Sequence, residues 1–355
     1  MSSTTASTTR WVTRVLACLL TLAVLPALGE VPRTVVDDAT LPQLALNGHK
    51  FHVEAFGNTD APVVVVLHGG PGADYRYLLG LSALADQYRV VFYDQLGSGL
   101  SQRVPASQIT VNSFVADLDA LIQHFSPKQP VHIVGHSWGA MLASAYAGAH
   151  PDKVDHLVLA EPGFLDTDTM AGLPGGGWPG LRVVAGFAKA WLGKWWISTN
   201  GDSYARDDWF LLQILPLTQG HDALCNGRLP PLQAWRSGSP AFEATLGRMM
   251  RDPEWGKSLN FAKDLRRYTG PVLFLRGACN QAQGESVQRR MMAKFSPQSN
   301  AQLITLAEAG HFMFNDQPKA SIEAVRRFLN GQAAGLCARS ATLPVSLRGR
   351  TADCK

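Results

Sequence analysis

Apolar side chains alternate through Phe51, Val53 and Ala55, and then fill every position from Val63 to Leu67. Alternation predicts a strand covered on one face, and the unbroken run predicts a strand buried on both. Val90–Tyr93, Val131–Val134, Leu157–Ala160 and Val272–Leu275 repeat the unbroken pattern. Helical patterns fall between several of these runs. Asn112 to Phe125 sets Phe114, Leu118, Leu121, Ile122 and Phe125 on one stripe, and Met141 to Ala149 reads as a helix of small residues packed on a sheet. Strands alternating with helices predict an α/β fold with a doubly wound, mostly parallel sheet.

The strand rhythm stops after Glu161 and returns near Arg267. The stretch between is rich in Trp, Gly and Pro, and reads as an inserted, mainly helical cap over 163–266. The predicted core is then 30–162 with 267–332, and an irregular tail occupies 333–355. Trp178, Trp191, Trp195, Trp196, Trp209, Trp235 and Trp255 lie in the cap. Packing of the cap's own small core is the expected role for most of them, with an aromatic surface facing substrate as the alternative.

Residues 1–29 carry the marks of an export signal: Arg10 and Arg14, an apolar run from Val15 to Leu28, and small residues at Ala27 and Gly29. Cleavage is expected near Gly29–Glu30, giving a secreted or periplasmic protein with no stable membrane span, since the run is shorter than the roughly 20 residues a spanning helix needs. Of the net charge of +4, two units come from Arg10 and Arg14, so no nucleic-acid partner is implied. Cys225, Cys279, Cys337 and Cys354 remain after cleavage. An even number in an oxidising compartment permits two disulfides, for instance Cys337–Cys354 with Cys225–Cys279, or leaves buried thiols.

Gly135-His136-Ser137-Trp138-Gly139 comes directly after one buried strand and opens a helix. A sharp strand-to-helix turn needs small flanking residues, lifts the serine hydroxyl above the sheet edge, and sets it at a helix N-terminus, which makes Ser137 the expected nucleophile. His68-Gly69-Gly70-Pro71-Gly72 comes after another buried strand, and the amides of Gly70 and Trp138 are the expected oxyanion donors. His68 itself is expected to pin this loop. A general base is expected after the last strand, where Ala309-Gly310-His311-Phe312-Met313 succeeds Leu303–Leu306, so His311 is assigned that role. His136 is expected to point elsewhere.

The motifs His68 to Gly72, Asp94-Gln95-Leu96-Gly97-Ser98-Gly99-Leu100-Ser101, and Gly135 to Gly139, in that order, make the chain resemble the proline iminopeptidase branch of the α/β hydrolases. The resemblance runs from about Leu44 to Leu329 and implies the α/β-hydrolase fold, with Ser137, His311, Gly70 and Trp138 in the roles above. It departs at the triad acid: Gly277-Ala278-Cys279-Asn280 puts Asn280 where the family has an aspartate. A neutral amide supplies no charge to an imidazolium. Glu161, at the end of the strand Leu157–Ala160, is the expected substitute, an arrangement similar to the haloalkane dehalogenase branch. The alternative for Glu161 is a contact to a substrate amine. Asp166 and Asp168 are further candidates for that amine contact, with solvated loop acids as the expected reading.

The expected function is cofactor-free hydrolysis of an ester or amide in a small-molecule or peptide substrate, through an acyl-enzyme on Ser137. A proline iminopeptidase-type aminopeptidase and a catalytically impaired binding module are the alternatives. Dehalogenation and epoxide hydrolysis are excluded, because both need an aspartate at Ser137.

Overall fold

The computed structural model describes residues 29–170, 180–218 and 220–332. The expected signal segment, the tail with Cys337 and Cys354, and Trp178 lie outside these residues. Eight strands form one sheet: β1 Gln43–Leu46, β2 His49–Phe56, β3 Val63–Leu67, β4 Arg89–Tyr93, β5 Val131–His136, β6 Val154–Ala160, β7 Val272–Gly277 and β8 Gln302–Leu306. Their order is β1-β2-β4-β3-β5-β6-β7-β8. β1 and β2 form a hairpin turned by Asn47 and Gly48, both with positive φ, as a two-residue primed turn requires. β2 pairs antiparallel with β4, and every later pairing is parallel.

The five valine and leucine side chains of β3 divide between two cores. Val63, Val65 and Leu67 face the helices Val111–Phe125 and Trp138–Ala149, whereas Val64 and Val66 face the 3-10 stretch Arg76–Asp86 and the helix Pro318–Leu329. That double coverage is why the run lacks alternation. The helix Val111–Phe125 starts at a reciprocal cap between Thr110 and Ser113 and buries Phe114, Leu118, Leu121 and Ile122 on the predicted stripe. The chain passes from β3 out to β4 and returns across β3 to β5. Strand order therefore reverses between β3 and β5, and in open α/β sheets ligands bind beyond the carboxyl ends at such a point.

Between β6 and β7 the helices Leu181–Gly193 and Ala205–Thr218 pack through Phe187, Ala190, Phe210, Leu211 and Ile214, with shorter helical segments from Ser239 to Ser258. Among the described residues no tryptophan belongs to this small core. Trp191, Trp195 and Trp196 are 53%, 54% and 40% exposed, so packing of the cap interior is not their role. Trp209 differs from these three: it is half-buried, with its ring against Gly193 of the neighbouring helix. Trp235 instead packs edge-on against His52 and Tyr75 of the main body. A buried charge cluster fastens the cap down: Asp208 accepts from Arg103, which lies beyond β4, at 2.9 Å, and from Arg236 at 2.7 Å. Among the described residues no helix is long and apolar enough to cross a membrane.

Candidate active site

Ser137 sits between β5 and the helix Trp138–Ala149 with φ 55°, a left-handed conformation that the hydrogen bond from its amide to Ala160 O helps to hold. The glycines around it are obligatory on steric grounds. A Cβ on Gly139 would lie 2.2 Å from Leu67 O, and one on Gly135 would lie 2.5 Å from Gly139 O. The turn therefore brings the helix start against the end of β3 as closely as backbone allows, and presents the half-buried Ser137 hydroxyl 3.1 Å from His311 Nε2.

The donors around this hydroxyl are sorted by their neighbours. Gly69 N–H is taken by the Tyr77 hydroxyl at 2.8 Å. The amides of Gly70 and Trp138 donate to no other group among the described residues. His68 is fully buried: its Nδ1 bonds Gly69 O and its Nε2 accepts from Gln95 N–H, so it does pin the loop. Gln95 has a role the sequence did not reveal. Its amide nitrogen donates to His68 O at 2.9 Å, while its oxygen accepts from Trp138 Nε1 at 2.9 Å, so one side chain ties together the two segments that carry the free amides. The only signal for it was its place in the Asp94–Ser101 motif. Asp94 braces the same loop by accepting from the amides of Tyr75 and Leu100.

His311 lies just beyond β8 and is fixed through its main chain. Its N–H donates to Ala223 O of the cap at 2.8 Å, and its carbonyl accepts from His136 Nε2 at 2.7 Å. His136 bonds Tyr77 and the His311 carbonyl rather than the Ser137 hydroxyl, and its ring lies 4.9 Å from that of His311. Because Tyr77 Oη accepts from Gly69, its own proton goes to His136 Nδ1, 2.7 Å away. The chain Gly69–Tyr77–His136–His311 thus connects the glycine loop to the loop beyond β8. It escaped the sequence because Tyr77 lies 59 residues from His136 and 234 before His311 in an unrelated segment. Burial, and then the neighbouring His136, lower the His311 pKa to about 3. Burial lowers that of His136 to about 4. Both imidazoles are neutral near pH 7, the form in which Nε2 of His311 accepts a proton.

The two candidates for the acid meet each other. Glu161 ends β6 with φ 46° and is fully buried. One carboxylate oxygen accepts from Gly277 N–H at 2.6 Å, and the other accepts from Asn280 Nδ2 at 2.8 Å. Burial raises its pKa to about 8, against the pull of these two donors and Arg276. The turn carrying Asn280 is bonded to the loop before His311, with Cys279 N–H donating to Ala309 O at 2.9 Å. Among the described residues His311 makes no hydrogen bond to Glu161 or Asn280. The site therefore contains two pairs, Ser137–His311 and Glu161–Asn280, separated by one backbone turn. Asp166 and Asp168 lie outside it, both ion-paired to Lys294. Cys225 and Cys279 form a disulfide, which binds the cap segment that holds His311 N–H to the turn that holds Glu161.

Residues 62–318 match the alpha/beta hydrolase fold family. The chain belongs to that family. This α/β hydrolase is 26% identical over 288 residues to a cis-3-alkyl-4-alkyloxetan-2-one decarboxylase of Xanthomonas campestris pv. campestris, covering 77% of the chain and 90% of that enzyme. It is 43% identical to the proline iminopeptidase of Heyndrickxia coagulans over 100 residues, 28% of the chain and 34% of that enzyme. Among solved structures, the proline iminopeptidase of Mycobacterium smegmatis matches with a TM-score of 0.53 and 19% identity, over 81% of this hydrolase and 97% of that chain. A haloalkane dehalogenase variant, DbeA-M1 from Bradyrhizobium elkanii, matches with a TM-score of 0.55 and 20% identity, over 81% and 95%.

Proposed function

We propose that this α/β hydrolase cleaves esters or lactones through an acyl-enzyme on Ser137. The observation that carries the reading is the 3.1 Å approach of neutral His311 Nε2 to a hydroxyl held in a strained turn beside two uncommitted amides. Ser137 Oγ attacks the carbonyl carbon as its proton passes to His311 Nε2. The carbonyl oxygen, now anionic, takes the N–H groups of Gly70 and Trp138, each donor worth roughly 3 kcal/mol in the transition state. Collapse expels the leaving group, which receives the proton from His311. Water then repeats the sequence on the acyl-enzyme and frees Ser137.

Glu161 is proposed as the acid of this triad. When His311 becomes an imidazolium it needs a nearby negative charge, and Glu161 is a fully buried carboxylate bonded to the turn that touches the loop before His311. Asn280, at the family's acid position, then serves as a donor that favours the ionised form of Glu161.

The aminopeptidase reading is weaker. Glu161 is fully buried with both oxygens bonded, and Asp166 and Asp168 are paired with Lys294, which leaves none of the three to hold a substrate ammonium. The oxetan-2-one named for the Xanthomonas relative is a four-membered cyclic ester, which supports an ester or lactone carbonyl as the reacting group. Export to an oxidising compartment is proposed as well, and the Cys225–Cys279 disulfide supports it.

The test is labelling with a fluorophosphonate together with turnover of aryl esters, lactones and prolyl anilides. Labelling at Ser137 with ester or lactone turnover is the expected result. Preference for the prolyl substrate would return the chain to the aminopeptidase class, and failure to label would favour a binding module.

A further inference from the structure

At the opposite, amino-terminal end of the sheet, β5 and β6 fall out of register. Val131 pairs with Val154 but Ile133 pairs with Leu157, so the single residue His132 opposes both Asp155 and His156. Two residues against one is a β-bulge, which re-aims side chains that a regular strand would send to opposite faces. Here it brings three donor atoms within 4.8 Å of one another, His132 Nδ1, Asp155 Oδ2 and His156 Nδ1. We propose that these three side chains form a binding site for one divalent transition-metal ion of the Zn2+ type.

The spacing suits such an ion. Asp155 Oδ2 is 3.5 Å from His132 Nδ1 and 3.3 Å from His156 Nδ1. Donors about 2.1 Å from a tetrahedral zinc stand roughly 3.4 Å apart. Both ring nitrogens are buried, and neither completes a hydrogen bond. His132 is only 6% exposed, so its Nδ1 is a desolvated polar atom aimed at a carboxylate without a bond to it. An unpaired buried nitrogen carries a desolvation cost that a metal bond offsets. The rings are held edge-on by Tyr88 against His132 and by Phe328 against His156, which fixes the direction of both nitrogens. Two imidazoles and one carboxylate favour zinc and its neighbours over magnesium or calcium, which prefer all-oxygen sets. Asp155 is 48% exposed, which leaves an entry route and a fourth position for water.

The ion would join β5 to β6 at one end, while the other ends of the same two strands deliver Ser137 and Glu161. Its role is therefore structural and separate from the acyl transfer proposed above. Titration of the chelator-stripped protein with Zn2+, in competition with a chromophoric chelator, should give one ion per chain. Asp155→Asn keeps the shape of a half-exposed side chain and should weaken binding by at least about tenfold, since even outer-shell changes cost that much. His156→Gln should do the same, and His124→Ala, an exposed histidine elsewhere, should leave affinity unchanged. Absence of stoichiometric uptake, or equal affinity in Asp155→Asn and wild type, would overturn the assignment.

Discussion

β5 and β6 are neighbours that end alike: each breaks into left-handed backbone at a residue proposed for the chemistry, Ser137 with φ 55° and Glu161 with φ 46°. Each of those residues also donates its amide to the next strand, Ser137 to Ala160 O and Glu161 to Leu275 O. Beyond these two residues the strands part ways. After Ser137 a helix starts at once against β3 and crowds the turn so closely that glycine is forced at 135 and 139. After Glu161 the chain leaves irregularly for the cap, and the nearest limit on a glycine there is the Met141 side chain, 3.0 Å from where a Cβ on Gly163 would lie, rather than backbone. Strain supported by close packing leaves a mark in the sequence; strain supported by two hydrogen bonds to a distant turn does not.

The sharpest way to break this comparison is to remove one chemical group from each strand end. Ser137→Ala should lower ester kcat on the order of a hundred-thousandfold or more, the loss expected when a nucleophile is deleted and only binding and oxyanion contacts persist. Glu161→Gln preserves shape and should cost about 10,000-fold in kcat with little change in KM, as for loss of a triad carboxylate. A loss below about tenfold would remove Glu161 from the triad and leave it a structural strand end. Asn280→Ala should have a smaller effect, about tenfold near pH 7, because it deletes one donor to Glu161 rather than the charge.

The pH dependence sharpens the contrast without changing the shape of the site. The Glu161 pKa is raised to about 8, so turnover that needs its carboxylate should climb up to about pH 8, and Glu161→Gln should abolish that limb. Stability should move in opposite directions for the two groups. Between pH 4.5 and about 8 the folded protein keeps a proton on Glu161 that the unfolded chain releases, so this contribution is complete below pH 4.5 and fades as pH rises. His311, lowered from 6.5 to about 3, binds fewer protons when folded, so its contribution is complete above pH 6.5 and is lost as pH falls toward 3. Melting temperatures across pH 3–9 should show His311→Gln flattening the acid side and Glu161→Gln flattening the alkaline side.

The sheet was legible because its central strands are buried on both faces, which leaves unbroken apolar runs such as Val63–Leu67. The strand-to-helix turn at Ser137 was legible through steric demand, and the position of His311 beyond the last strand through the apolar run before it. Tyr77, Gln95 and Ala223 were not, because each acts by a hydrogen bond to a residue far away in sequence that no local pattern encodes. The exposed tryptophans of the cap were misread for a related reason: composition counts indoles without saying whether two helices share enough interior to bury them.

The bond from His311 N–H to Ala223 O makes the cap a contributor to the proposed catalytic site, and the disulfide between Cys225 and Cys279 makes the attachment covalent. In the terms of protein engineering, the cap is not an exchangeable cassette. A chimera that replaces it at the ends of β6 and β7 inherits Ser137 and Glu161 intact but loses the carbonyl that holds His311 N–H, so new specificity brought in this way arrives with an unseated histidine unless residues 221–225 travel back with the core.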